Sequence, residues 1–135
     1  MAADFFGQGP VCVATVICNE IIEDKRTGNK SIIGIFNAIA TTLVPATHPR
    51  MTVMASVTNA EREITVRLIL RGPEGREMLS AEARVPTRGP GEVVDLLFEL
   101  NNITFDEFGD YVFELIYGVK VIGARRFMVV EHKPA

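Results

Sequence analysis

Tryptophan is absent from this sequence, and cysteine and histidine occur only twice each among its 135 residues. Cys12 and Cys18 lie in an apolar run that predicts one extended strand, so the strand rise separates them by about 20 Å. A disulfide cannot bridge that distance. Two free thiols in an apolar segment are typical of a reducing compartment, and we therefore predict a cytoplasmic protein.

Long hydrophobic segments and a targeting signal are also lacking. The apolar run 11–18 is shorter than the roughly 20 residues that a transmembrane helix needs. No Lys or Arg precedes Lys25, whereas a secretory signal opens with basic residues. The sequence predicts neither a transmembrane segment nor a signal peptide.

Basic residues are not in excess. Fourteen Lys and Arg stand against 17 Asp and Glu, which gives a formal net charge of −3. The arginines are scattered along the chain instead of gathered among aromatic residues, so the surface lacks the positive footprint that nucleic-acid binding requires. We predict no nucleic-acid partner.

Sequence motifs for catalysis are missing as well. No HExxH, CxxC, GxSxG or phosphate-binding GK[ST] pattern is present, so nothing marks a nucleophile, a metal-ligand pair or a phosphate loop. We predict a protein that is not an enzyme and needs no cofactor. The alternative is a site assembled from distant residues near His48.

Alternation of apolar and polar residues dominates the chain and predicts its fold class. The segments 51–58, 64–70, 78–85 and 94–100 each place apolar side chains at every second position, as half-buried strands do. Residues 59–62 are the expected hairpin loop between the first two of these segments. About eight strands with turn residues between them predict one all-β domain over residues 1–135, a mostly antiparallel β-sandwich of the immunoglobulin-like or C2-like kind.

Two segments, 11–22 and 32–39, are apolar on both faces. Such strands are central and covered on both sides, or they lie against a partner. Gly28 and Asn29 between them tolerate positive φ and predict a two-residue turn, so the segments should form a long hairpin. Residues 37–50 are ambiguous, since Pro45 and Pro49 would interrupt a turn of helix before the chain crosses over.

The stretch FDEFGDYVFELIYG, residues 105–118, combines an acidic loop with a strand. Gly109 and Tyr111 predict a tyrosine corner, in which the hydroxyl group returns to the backbone a few residues upstream. The alternative is a calcium site, because carboxylate and amide oxygens are the ligands that calcium prefers. Its candidate ligands are Asn101, Asn102, Asp106, Glu107 and Asp110.

A resemblance covers nearly the whole chain. The hairpin VICNEIIEDKRTGNKSIIGIFNAI, the crossover LVPATHP, and GDYVFELIYG followed by RRFMV are together similar to a family of small bacterial β-sandwich proteins known only as a domain of unknown function. The resemblance implies a bacterial origin and a β-sandwich fold. It supplies no catalytic or binding residue.

These observations predict a non-catalytic binding or assembly module. Apolar surface on residues 11–39 and the outward-facing Ile69, Leu97, Val112 and Ile116 predict self-association through a sheet face, or binding of a protein partner. The alternative is a calcium- or ligand-responsive C2-like module that uses the loop from Asn101 to Asp110.

Overall fold

Nine β-strands form two sheets in the computed structural model, which describes residues 9–133. The strands are β1 (Val11–Glu23), β2 (Lys30–Ile35), β3 (Ala38–Thr41), β4 (Ala46–Thr58), β5 (Ile64–Arg71), β6 (Glu77–Val85), β7 (Val94–Phe105), β8 (Gly109–Tyr117) and β9 (Lys120–Glu131). The four-stranded sheet has the order β2-β1-β4-β7, and the five-stranded sheet the order β3-β9-β8-β5-β6. All neighbours are antiparallel except β3 and β9. The predicted all-β, mostly antiparallel sandwich is confirmed, with nine strands where about eight were expected.

The core lies between the two sheets and follows the alternation of the sequence. Every second residue points into it along β5, β8, the second half of β4 and residues 94–100 of β7, including Val53, Leu68 and Phe98. Four aromatic side chains form its largest group: Phe105, Tyr111, Phe113 and Phe127. Four pairs of these rings have centroids 5.1–5.8 Å apart, and each such pair adds about 0.5–1.5 kcal/mol beyond the area it buries. Between residues 9 and 133, no helix is long and apolar enough to cross a membrane.

Residues 59–62 do not join a hairpin, so that prediction is wrong. β4 pairs with β1 on one side and β7 on the other, whereas β5 pairs with β6 and β8 in the opposite sheet. The loop therefore carries the chain from one sheet to the other. Alternation shows that a strand is half-buried, but it does not show which strand is its neighbour.

Residues 32–39 are not one central strand, which corrects a second prediction. The Phe36 amide donates to the Ile17 carbonyl at 3.0 Å, and the Asn37 carbonyl accepts from the Met128 amide at 3.0 Å. The chain thus changes sheets between Phe36 and Asn37. The result is two edge strands, β2 and β3. Within the ambiguous segment 37–50, residues 38–41 and 46–50 are strand rather than helix.

The β1–β2 hairpin is present as predicted, but its turn is longer than two residues. The last paired positions are Glu23 and Lys30, so residues 24–29 form the loop. The Asp24 carboxylate accepts from the Arg26 amide at 2.8 Å, and the Asp24 carbonyl accepts from the Gly28 amide at 2.8 Å. An aspartate that binds the backbone in this way supports a wider loop, and within it Gly28 takes the positive φ.

Candidate functional site

The tip of the β1–β2 hairpin extends beyond the sheet from which it starts. β1 is paired with β4 only as far as Cys18, whereas its pairing with β2 continues from Cys18 to Glu23. Gly34 lies at the base of this extension with φ +71°, and a Cβ at that position would collide with the Asn19 side-chain amide. Glycine permits both the positive φ and the close approach. We refer to residues 19–34 as the hairpin arm.

The hairpin arm curves over the outer face of the four-stranded sheet. One cavity of about 130 Å³ is bounded by both the arm and the sheet: Glu20, Ile21, Arg50, Thr52 and Glu99. A second, of about 460 Å³, lies between the arm and β4 and β7: Gly28, Asn29, Lys30, Ile32, Met54 and Asp95. Thr52, Met54, Asp95 and Glu99 alternate with core-facing residues of their strands, so they belong to the outer face. Cys18 and Thr52 are accordingly buried on the outer side of the sheet.

The two sides of the arm differ in exposure. Ile21 and Ile32, which contact the cavities beside the sheet, are half-buried. Three other isoleucines at the arm and the end of β2 are exposed: Ile22 by 49%, Ile33 by 40% and Ile35 by 56%. The hairpin therefore covers the sheet with one apolar side and presents a second apolar side to solvent.

The edge strands of the two sheets differ in how they are protected from pairing with other chains. β6 carries Glu77, Glu82 and Arg84 at exposed positions, and β7 carries Asp95 and Glu99. Charged residues of this kind discourage edge-to-edge association.

The two remaining edges are β3 and β2. β3 has only four residues, and very short edge strands offer few backbone groups. β2 has six residues, KSIIGI, and its single charged side chain, Lys30, lies 3.8 Å from Glu23 within the same hairpin. The open edge of β2, with Ile33 and Ile35 exposed beside it, is the candidate interaction site.

The outer face of the five-stranded sheet does not provide the apolar surface predicted there. Ile69 is only 1% exposed and Ile116 only 8%, so both are buried within one chain. Their cross-strand neighbours Glu114 and Arg67 have long side chains, whose aliphatic parts cover apolar neighbours. Val112 is half-buried, and only Leu97, on the other sheet, is exposed as expected.

The five predicted calcium ligands are spread along β7, β8 and the turn between them. Asn101 and Asn102 belong to β7, Asp106 and Glu107 to the turn, and Asp110 to β8. The Asp106 carboxylate lies 3.3 Å from the Arg76 guanidinium, a cation that competes with a metal ion. Within residues 9–133, no three His, Cys, Asp or Glu side chains are grouped to hold a metal. Calcium binding stays a prediction, which a thermal melt in about 1 mM calcium against EDTA tests.

Gly109 and Tyr111 fix the start of β8. The Tyr111 hydroxyl donates to the Glu107 carbonyl at 2.7 Å, which is the hydrogen bond of a tyrosine corner. Burial raises the pKa of this hydroxyl above its usual value. Gly109 has φ +137° and lies against Pro73. These contacts have a structural role.

His48 packs against an aromatic ring. It is half-buried in β4, and its ring centroid lies 5.7 Å from that of Phe36. Burial lowers the pKa of its imidazole, so the neutral form is favoured. A catalytic role for His48 stays a prediction.

Sequence reasoning identified the apolar hairpin but not its edge position or its bend. The signal that points to the bend is Gly34 within the run SIIGIF. An isolated glycine in a strand marks a bulge or a close backbone approach.

These features define a two-layered β-sandwich in which one hairpin and its open edge expose three isoleucines, Ile22, Ile33 and Ile35. The chain belongs to a family of unknown function (DUF6941), whose model matches residues 13–130, and the resemblance to a family of that kind is thereby confirmed. No curated protein matches the sequence.

Two solved structures are similar in fold. The C-terminal domain of wzt is 12% identical, with 96% of this chain and 77% of that one covered at a TM-score of 0.49. An immunoglobulin-like protein from Pseudomonas aeruginosa is 13% identical, with 90% and 97% covered at a TM-score of 0.45. At these values neither likeness bears on function.

Proposed function

We propose that this protein is a non-catalytic assembly module that pairs with a second copy of itself along the open edge of β2. The observation that carries the proposal is the exposure of Ile33 and Ile35 on an edge strand that is six residues long. An apolar edge strand with only one charged side chain is a template for a further strand.

Self-pairing fits the chemistry of β2. Two antiparallel copies related by a two-fold axis would join their four-stranded sheets into one continuous sheet, with backbone hydrogen bonds across the junction. In full-length alignment, Lys30 of one strand lies opposite the Ile35 end of the other, because antiparallel strands oppose their ends. The single cation of β2 therefore does not meet its own copy.

Further apolar surface extends the same region. Ile22 on β1 is paired with Ser31 of β2 and is 49% exposed. Burial of such side chains is worth about 25 cal/mol per Å² of apolar area removed from water. The association would therefore combine edge pairing with an apolar contact beside it.

A reducing, cytoplasmic location is part of the proposal. The Cys12 thiol contacts the Ala14 carbonyl and the Thr15 hydroxyl at 3.2 Å, whereas the Cys18 thiol contacts the Thr52 carbonyl at 3.5 Å. Both cysteines are free. Two thiols with separate partners support a protein that functions without a disulfide.

Sedimentation equilibrium at about 50 µM tests self-association, a concentration at which a micromolar dimer is largely formed. The wild type is expected to be a dimer, and the double variant Ile33→Glu/Ile35→Glu a monomer, because charges on an edge oppose pairing. The matched control is Val121→Glu/Met128→Glu, which changes two side chains that are each 47% exposed on the other sheet. It should remain a dimer.

Two results would overturn the proposal. One is a monomeric wild type at this concentration. The other is a dimer that survives the β2 substitutions, since it would use a different surface.

A further inference from the structure

A hollow lined by both charged and apolar side chains lies on the outer face of the five-stranded sheet, where β5, β8 and β9 are neighbours. Its volume is about 320 Å³, at the lower end of the range of small-molecule sites. The residues that shape it are Arg71, Asp110, Val112, Glu114, Ala124 and Arg126. The hollow is separate from the open edge of β2, which belongs to the other sheet.

Strand register explains the arrangement of the hollow. Arg71 is paired with Val112, and Val112 with Arg126, so the three side chains form one row on one face. Because adjacent strands are about 4.8 Å apart, the Cα atoms of the two arginines lie about 10 Å apart across Val112. In the next row Glu114 is paired with Ala124, whose small side chain leaves space.

One pair of charges in the hollow is already neutralised. The Arg71 Nε donates to the Glu114 carboxylate at 2.7 Å, and its Nη1 donates to the Gly75 carbonyl at 3.3 Å. Both ionic side chains are mostly buried, with 32% and 22% exposed. The ion pair of Arg71 and Glu114 therefore forms one side of the hollow and is not available to a ligand.

A second pair of charges lines the hollow without an ion-pair contact. Among residues 9–133, neither Arg126 nor Asp110 has an opposite charge within 4.0 Å. Within the part of the chain that the structure describes, one cation and one anion without an ion-pair partner therefore face the space above Val112 and Ala124. A ligand with both charges would complement them better than a ligand with one.

We propose that the hollow binds a small zwitterion of the α-amino-acid type. The Arg126 guanidinium would bind the carboxylate through its fork of N–H donors, and the Asp110 carboxylate would accept hydrogen bonds from the ammonium group. Val112 and Ala124 would contact the aliphatic part. Inorganic phosphate fits less well, because it would face the carboxylate of Asp110 as well as the guanidinium of Arg126.

Amide NMR titration with L-leucine tests the proposal, with amides of 110–114 and 124–126 as reporters. L-Leucine should cause saturable shifts there. Its two single-charge analogues, 4-methylpentanoate and isopentylamine, should each bind at least about tenfold more weakly, and so should inorganic phosphate. A tenfold difference corresponds to about 1.4 kcal/mol.

Variants locate the site. Arg126→Gln and Asp110→Asn should each weaken L-leucine binding about tenfold or more, because each removes one charge-assisted contact. Arg67→Gln changes an exposed arginine of β5 outside the hollow and should leave binding unchanged. An unshifted melting temperature confirms that each variant is folded.

Three results would contradict the proposal. No saturable shift up to about 20 mM L-leucine would overturn the proposal, a concentration that still detects millimolar affinity. Equal binding of 4-methylpentanoate or phosphate would also overturn it, because the hollow would then be a simple anion site. Binding that the Arg67→Gln control weakens as much as Arg126→Gln would place the ligand elsewhere.

Discussion

The outer faces of the two sheets are covered by different means. The four-stranded sheet is covered by the chain itself, because the hairpin arm curves over Cys18 and Thr52. Within residues 9–133, no such arm lies over Ile69 and Ile116 of the five-stranded sheet, yet both are buried. Ile69 is paired with Glu114 and Ile116 with Arg67, and we attribute the cover to these long side chains.

The two kinds of cover leave different side chains exposed to solvent. Charged side chains cover apolar residues with their stems and keep their ends in water, so the surface above Ile69 and Ile116 is polar, whereas Val121 and Met128 at the margin of the same face are each 47% exposed. An arm of isoleucines covers with one side and exposes the other. Ile22, Ile33 and Ile35 are therefore exposed on the arm and the open edge of β2, while Leu97 stays exposed on β7 of the same sheet.

The largest expected effect tests whether Ile69 is buried within a single chain, without a partner. Ile69→Ala should lower the free energy of unfolding by about 2–4 kcal/mol, as for other buried large-to-small substitutions. Val121→Ala on the same face is the control, because Val121 is 47% exposed and should lose less than about 0.5 kcal/mol. Urea unfolding below the concentration of association measures both. Equal losses would mean that the charged side chains do not cover Ile69.

A smaller effect tests the bend of the hairpin arm. Gly34→Ala combines a positive φ with a collision against the Asn19 amide, whereas Gly28→Ala has a similar φ and open space. The φ alone costs about 1 kcal/mol, so Gly28→Ala should lose about that amount and Gly34→Ala about 2 kcal/mol or more.

Hydrogen exchange locates the effect of the glycine substitutions. Amides of β1 and β2 in the arm should lose protection in Gly34→Ala while the five-stranded sheet keeps it. Adding Asn19→Ala to Gly34→Ala should restore part of the lost stability, because it removes the amide that the new methyl group meets. Equal costs for the two glycine variants would argue against the bend.

The alternation of the sequence was sufficient to predict strands and their core faces. Val66, Leu68, Leu96 and Phe98 are buried where the pattern expects them, because side chains on a strand alternate between faces. The fold class follows from such segments without knowledge of pairing.

Pairing and covering were not predictable in the same way. An apolar outer-face residue such as Ile69 predicts exposure or a partner, but its pairing with Glu114 of β8, a strand distant in sequence, is not visible in the local pattern. The crossover at Phe36 and Asn37 depends on hydrogen bonds to β1 and β9, which no local pattern specifies. The hollow beside Arg126 likewise arises from register, since its residues are contributed by three strands.

The smallest expected effect is a pH dependence of the free energy of unfolding, which arises from His48 in the four-stranded sheet. His48 contacts Phe36, where the chain leaves β2. Burial lowers the pKa of His48 below its usual value of 6.5. The folded state therefore disfavours the imidazolium, so the stabilisation is complete above pH 6.5 and decreases as the pH falls through the unfolded-state pKa toward the lowered folded-state pKa.

His48→Gln should accordingly flatten the fall in unfolding free energy between about pH 7 and pH 5, because it removes a group whose proton is bound more tightly in the unfolded chain. His132→Gln is the matched control, since His132 lies exposed beyond β9, and it should keep the wild-type slope. Urea unfolding at several pH values measures the three proteins. If His48→Gln kept the full wild-type slope, the loss of stability in acid would arise from carboxylates, which both sheets carry. The pH dependence would then not be a property of the four-stranded sheet alone.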